Sequence, residues 1–417
     1  MCWTQNELAR RLELAADAAT RKHLPARSSI IREIRFHESG RHQPGSIYTE
    51  LYRRVWALAD ASPTAAAIAG IDGSLRTADG LEDPTSIVAQ ARSLIASNVD
   101  QAVLATASSS IRHVVDTYEG QGPWPLVGDM RGLRSTLYSL LRGRQSLSQR
   151  RELFVLAGRV SGLLSYMAVN MGRPVLADSY ATEAAMLAGE ADDAELQMWV
   201  LGTRSFGLYY QGRYDEADSA AAAGVAIDPS SPQAIRLLIN GRARALARIE
   251  TRKGEAERMI GEALALSDRT EGLPSGMSSC IAFGPYSPAR TTANAVTAFL
   301  SLGKSAQVLH YADQVDELVE GSDSRWSKAL VRLDVASALL AQPSPEVERA
   351  MTLGREALEV TAEAPIRSVS QRARELANHA GRWAKHQEAA AYRQRLLDWH
   401  AEPLAHAVIE EDPGIRG

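Results

Sequence analysis

Cysteine, phenylalanine and long apolar runs are all scarce in this chain, and each scarcity excludes something. Only two cysteines occur in 417 residues, Cys2 and Cys280. Two isolated thiols build no disulfide framework and point to a reducing compartment, and neither belongs to a metal-ligand spacing. Five phenylalanines and almost no runs of Val and Ile argue against sheet, whereas abundant alanine favours helix. No uninterrupted apolar stretch of about 18 residues occurs and no charged-then-apolar leader opens the chain. A soluble cytoplasmic protein without a membrane partner is expected. A nucleotide loop, a nucleophile elbow, a zinc spacing and paired catalytic carboxylates are also absent. His379 and His386 lie seven apart across Gly381, while His23, His37 and His42 fall in a basic region. The expectation is no enzyme, no cofactor and no metal.

What is there is organised around 201–229, LGTRSFGLYYQGRYDEADSAAAAGVAIDP. Leu201 and Leu208 share one helical face, Gly212 marks a turn, Ala217, Ala221 and Gly224 allow close helix approach, and Pro229 stops the second helix. Similar Gly-centred hairpins recur at Gly172, Gly254, Gly303 and Gly381, with a further pair interrupted at Pro343 and Pro345. Six helical pairs of about 40 residues each are predicted between Glu152 and His400. The division is a head at 1–60, a Gly/Ser/Pro-bearing linker at 61–85, a helical connector at 86–151, repeats at 152–400 and a tail at 401–417. The fold class expected is all-α.

Net charge is -4, but residues 1–60 hold ten Lys and Arg against seven Asp and Glu, so a basic head precedes an acidic body. In the head, Thr4 and Glu7 have capping-box spacing before a helix through Leu8, Ala9 and Leu12. A second helix is predicted from Ser28 or Ser29 to Glu38, and a third carries Ile47, Tyr48, Leu51, Tyr52, Val55 and Trp56. Arg32 and Arg35 fall opposite the isoleucine face of the second helix.

Two resemblances follow from these residues. WTQNELARRL followed by SIIREIRFHESGRHQP resembles the helix-turn-helix regulators of the Cro and lambda-repressor type. The match rests on Thr4, Gln5, Leu8, Ala9 and Leu12, then Glu38, Gly40 and Pro44, with His37 in place of the usual Trp. The link from Glu13 to Arg27 is longer than that family's turn. The family's first helix would precede Trp3, so either the true start is upstream or the head lacks a core helix. The body resembles tetratricopeptide repeats, and the whole is similar to actinobacterial regulators joining these two parts. The resemblance implies a right-handed α-solenoid, double-stranded DNA as a partner, a homodimer, and a signalling peptide or small molecule on the concave wall. Ligand-dependent curvature would then reposition two heads. Ser28, Ser29, Arg32 and Arg35 would contact DNA, with Arg21, Lys22, Arg27 and Arg41 on phosphates. The concave wall would draw on Tyr166, Asn170, Arg204, Tyr209, Arg242, Asn294 and Arg332 from first helices. The insertion at 271–289 adds Phe283 and Tyr286 as a lid over that wall. A protein-interaction scaffold that does not bind DNA is the alternative reading.

Overall fold

A computed structural model describes residues 4–60, 84–95 and 97–409. Every regular element among the described residues is helical, so the fold is all-α. The chain divides into two compact units, Met1–Leu94 and Ile95–Gly417.

The first unit opens with α1 (Gln5–Ala15), whose first turn is capped by the Thr4 hydroxyl accepting from the Glu7 N–H at 3.3 Å. The long link expected after it contains a short helix, α2 (Ala18–Arg21), capped by Asp17. Then come α3 (Arg27–Glu38) and α4 (Ser46–Asp60). Leu8, Ala9 and Leu12 of α1, Ile30 and Ile34 of α3, and Leu51 and Val55 of α4 form one apolar core, with Ala16 beside them. Apolar residues three and four apart put one stripe of each helix into that core. The linker expected at 61–85 lies outside the described residues except Pro84 and Thr85, which open α5 (Pro84–Ile95).

The second unit begins with α6 (Gln101–Gln121) and α7 (Pro123–Leu141). Six pairs follow: α8 (Leu147–Asn170) with α9 (Pro174–Glu190), and α10 (Ala194–Tyr210) with α11 (Tyr214–Ile227). Next, α12 at 233–246 pairs with α13 (Lys253–Arg269), and α14 (Pro288–Ser301) with α15 (Ser305–Glu320). The last are α16 (Arg325–Leu340) with α17 (Val347–Val360), and α18 (Arg367–His379) with α19 (Gln387–Ala401). A terminal α20 (Pro403–Ile409) occupies part of the stretch read as a tail. Gly172 and Gly212 make their turns at φ 73° and 76°, a conformation only glycine adopts cheaply. Gly254 does not: it is the second residue of α13, and the turn lies before it in a 3-10 segment, Glu250–Arg252.

The long apolar α8 is the one described helix with the length and hydropathy to cross a bilayer, and most of it is buried inside this unit. A core helix packed on both sides has the same composition.

The array is not an open trough, because its last pairs return to its first. Tyr118 of α6 meets Trp326 of α16 edge-on at 5.0 Å. Arg367 of α18 donates to the Tyr210 carbonyl of α10 at 2.9 Å, and Arg248 pairs with Glu375 at 3.0 Å. Gly172 lies so close to the Val408 carbonyl of α20 that an added Cβ would stand 2.3 Å from it. One apolar cluster accordingly runs from Val99 to Ala405.

Candidate functional site

Two places carry unspent chemistry, the outer face of α3 and the interior of the second unit. On α3, burying Ile30 and Ile34 turns Arg32 and Arg35 to solvent, and Ser28 is exposed while Ser29 is half-buried. Arg35 Nε donates to Gln5 Oε1 at 2.7 Å, and Gln5 Nε2 donates to Glu38 Oε2 at 2.8 Å. Gln5 thus ties the start of α1 to the last two turns of α3. His37 packs inward, its ring 5.3 Å from Tyr48 and its Nδ1 3.1 Å from the Tyr52 hydroxyl. Burial pushes the Tyr52 hydroxyl up to about 12.

The basic residues of the head sort into two groups. Arg10 and Arg11 pair with Glu7, Arg53 and Arg54 with Glu50, Arg54 also with Asp17, and Arg27 with Glu13 at 2.5 Å. Arg27, read as a phosphate holder, is therefore engaged inside the head. Arg21 spends one nitrogen on the carbonyls of Glu13 and Ala16 at the end of α1. That is a C-terminal cap of the kind cations make. Arg21, Lys22, Arg32, Arg35 and Arg41 are exposed and form no ion pair among the described residues.

In the second unit the first helices converge on a cavity of about 60 Å³. Tyr166 and Asn170 of α8, Phe206 and Tyr210 of α10, and Asn240 and Arg244 of α12 form one side. Glu119, Arg290, Asn294 and Trp326 form the other, and Cys280 and Tyr286 enter from the 271–289 insertion. Tyr166 stacks on Phe206 at 4.7 Å, and Asn170 donates to the Tyr118 hydroxyl at 2.7 Å. The insertion is bound down along its length. The Ala282 carbonyl accepts from the Trp199 indole at 2.7 Å and the Phe283 carbonyl from Gln233 at 2.6 Å. The Cys280 N–H donates to Glu119. It fills the interior rather than covering a groove. Burial, then the charge of Glu119, pushes the Cys280 thiol far up, so it is no nucleophile.

Two buried ion pairs brace this interior. Arg290 Nη2 bridges both Glu119 oxygens at 2.7 and 2.8 Å, and Arg372 pairs with Asp334. Burial alone would raise the Glu119 carboxyl. Arg290, the Ser324 hydroxyl and the Cys280 N–H outweigh it and hold the group below the ordinary carboxylate value.

Two further buried guanidiniums have no carboxylate among the described residues. Arg236 is 1% exposed and Arg244 5%. Arg236 donates once, to Thr203 at 3.0 Å, and its Nε and Nη1 have no partner. It lies 4.5 Å over the Trp199 ring and 5.9 Å from Tyr166 and Tyr286. Arg244 donates to Asn240 Oδ1 at 2.5 Å and to the Tyr210 hydroxyl at 2.9 Å, leaving Nε unmet. Cation–π stacking supplies about 2 kcal/mol when desolvated. The cost of burying an ion is several kcal/mol or more.

A break in helix regularity places these residues. α12 consists of Gln233–Arg236, a π-helical stretch Leu237–Ala243, and Arg244–Leu246. Four residues of α-helix overshoot a full turn by about 40°, and the wider π turn takes up that overshoot. Asn240 and Arg244 line the cavity, and Arg236 lies against the Tyr166 and Tyr286 rings that wall it. π stretches of this kind recur at functional sites.

The cavity thus gathers Tyr166, Asn170, Tyr286 and Asn294 of the residues expected on a concave wall. Asn294 spends its amide on the Arg290 carbonyl one turn back at 2.8 Å. Phe283 packs at a tilt against Trp199, ring centres 4.6 Å apart, and does not line the cavity. The others lie elsewhere. Arg204 is 3.6 Å from Asp178, Arg242 pairs with Asp218 at 2.8 Å, and Arg332 pairs with Glu320 at 3.0 Å. Tyr209 lines a separate outer cleft with Arg367 and Gln371. Sequence reasoning passed over Glu119, Arg236, Asn240, Arg244 and Arg290. The available signal was Arg, Asn and Arg at intervals of four in an otherwise apolar helix, AIRLLINGRARAL. No group of three or more metal-ligating side chains occurs among the described residues.

No protein-family model matches the chain, and no curated protein matches it significantly.

Proposed function

We propose that this chain is a cytoplasmic, DNA-binding transcriptional regulator whose second unit senses a small molecule and carries a homodimer contact. The observation that bears most weight is the division of labour on α3. Ile30 and Ile34 fix the helix to the head's core, which presents Arg32 and Arg35 outward beside the exposed Ser28. An arginine pair one turn apart, on a helix anchored by its other face, is what base-edge reading in a major groove requires. Lys22 and Arg41 flank it as phosphate contacts, with the part of Arg21 not spent on its cap. The resemblance to helix-turn-helix regulators, carried by Thr4, Gln5, Leu8, Ala9, Leu12, Glu38, Gly40 and Pro44, supports the same reading. A cavity of about 60 Å³ favours a small molecule over a peptide, since drug-sized ligands occupy about 300 Å³ or more.

The test is selection of duplexes from a random pool, then fluorescence anisotropy of the enriched sequence against salt and random competitor DNA. Replacing Arg32 and Arg35 together by Ala is expected to weaken the enriched duplex by roughly 2 to 6 kcal/mol and to abolish preference over random DNA. Lys22→Ala is expected to weaken both equally and to reduce the salt slope by about 1. Preference retained in the Arg32/Arg35 variant would remove α3 as the reading helix. No enrichment at low salt would remove the DNA reading altogether.

A further inference from the structure

We infer that the interior cavity of the second unit is a binding site for a small oxyanion, either carboxylate or phosphate, held by Arg244 with Arg236 behind it. The inference rests on the sensor reading above and names the chemical class of its ligand.

Arginine remains protonated in any protein environment, so Arg236 and Arg244 are permanent cations. Both are more than nine-tenths buried, and neither has a carboxylate among the described residues. The carboxylates of this interior are committed elsewhere, Glu119 to Arg290 and Asp334 to Arg372. The interior is therefore short of negative charge beside an unfilled space. Arg244 lines that space and keeps Nε unmet, while Arg236, with Nε and Nη1 unmet, sits against the Tyr166 and Tyr286 rings that wall it. Aromatic faces stabilise a guanidinium but do not neutralise it. An oxyanion in that space neutralises the pair of charges and supplies the acceptor that Arg244 Nε lacks.

Size narrows the class. One water needs about 10 to 15 Å³ of such space, so about 60 Å³ holds roughly four to six non-hydrogen atoms. Phosphate, sulfate and acetate fit within that range.

The experiment uses the full-length protein and measures thermal unfolding and titration calorimetry with inorganic phosphate, sulfate and acetate against chloride at constant ionic strength. The expected result is a saturable rise in Tm, about 2 to 4 °C at ten times Kd, for one anion geometry. A phosphate or sulfate response assigns a tetrahedral ligand, and an acetate response a carboxylate. Arg244→Met is expected to weaken binding at least tenfold, and Arg244→Lys to retain part of it. Should Arg244→Met fail to fold, Arg236→Met supplies the same readout. No saturable response to any of the three, or equal responses in wild type and both Met variants, overturns the inference. These measurements contain no DNA, so they stand apart from the head's role. If phosphate binds yet leaves the affinity for the enriched duplex unchanged, the site stands and the sensor reading falls.

Discussion

Replacing Glu119 by Gln tests whether the interior is as dry as its packing implies. Glu119 is 7% exposed and joins α6 to α14 through both oxygens on Arg290 Nη2, at 2.7 and 2.8 Å. The amide preserves shape and one acceptor but leaves the Arg290 guanidinium, also 7% exposed, without its counter-ion beside two cations already lacking one. Breaking a buried pair from one side costs about 3 to 5 kcal/mol. The retained amide acceptor puts this case near 3, a fall in Tm of about 4 to 5 °C for a body of this size. Replacing both members, Glu119→Gln with Arg290→Met, removes the stranded charge and is expected to recover most of the loss. The penalty also has a pH signature. The Glu119 carboxyl is held below its unfolded value in the native state, so its contribution is complete above about pH 4.3. It is lost as pH falls through the folded value. The wild-type and variant Tm values should run parallel from pH 8 to 5 and draw together only as pH falls below the unfolded carboxylate value of about 4.3. Circular dichroism melts across that range read the effect. A single-variant cost under about 1 kcal/mol at pH 7, or a gap that widens as pH falls below about 4, would refute the argument that Arg290 depends on this carboxylate.

The remaining expectations concern turns and titration. Gly172→Ala meets both a positive φ of 73° and the Val408 carbonyl, whereas Gly212→Ala meets a φ of 76° with nothing within 4 Å. The second is expected to cost about 1 kcal/mol and the first about 2 or more. Equal costs in urea melts would mean that α20 does not seal that turn. His400 lies 3.2 Å from the Ser370 hydroxyl, and burial, then the charge of Arg374, pushes its imidazole down to about 4. It is neutral in the fold and charged in the unfolded chain between about pH 4 and 6.5, so stability falls as pH drops through that window. His400→Gln should flatten that slope, and an unchanged slope would assign it to another group.

Much of the architecture was legible because the features that set it are local. Thr4 three residues before Glu7, glycine at 172, 212 and 303, and the small residues Ala217, Ala221 and Gly224 each specify a cap, a turn or a close approach without reference to the rest of the chain. An added Cβ at Gly224 would stand 2.8 Å from Leu237, so that approach is as tight as the sequence suggested. Gly254 misled because glycine is tolerated in the first turn of a helix as well as between helices, and spacing alone does not separate the two. Closure of the array was invisible for a different reason. Contacts such as Tyr118 with Trp326 and Arg367 with the Tyr210 carbonyl join residues far apart in the chain, the second pair 157 positions, and no periodicity encodes them. Arg236, Asn240 and Arg244 were overlooked for another reason. Their spacing of four places them on one side of a helix and Arg242 on the other, but α12 is apolar nearly all round, so nothing marked that side as the one facing the cavity.

Surface helices betray their inner face through a 3.6-residue alternation, but α8, α10 and α16 are packed nearly all round, and α12 is too. A helix buried on every side has no polar face against which an inward residue stands out. Hydrophobic patterning therefore fails where the chemistry is concentrated, and partner accounting takes its place. A polar side chain on such a helix must be satisfied by its neighbours or by something the chain does not itself provide. Asn170 finds Tyr118, Ser165 finds the Ala177 carbonyl at 2.8 Å, and Ser205 finds the Ala217 carbonyl at 2.7 Å. These residues hold paired helices together. Arg372 finds Asp334 on the neighbouring pair, and Arg290 finds Glu119 of α6 across the unit. Arg236 and Arg244 end the sequence of matches without a carboxylate, at the point where the helix changes its winding and space remains unfilled. Selection for stability alone would replace such cations with apolar side chains of similar volume, since stranded buried charge is costly. Their placement is explained when the missing charge arrives from solution.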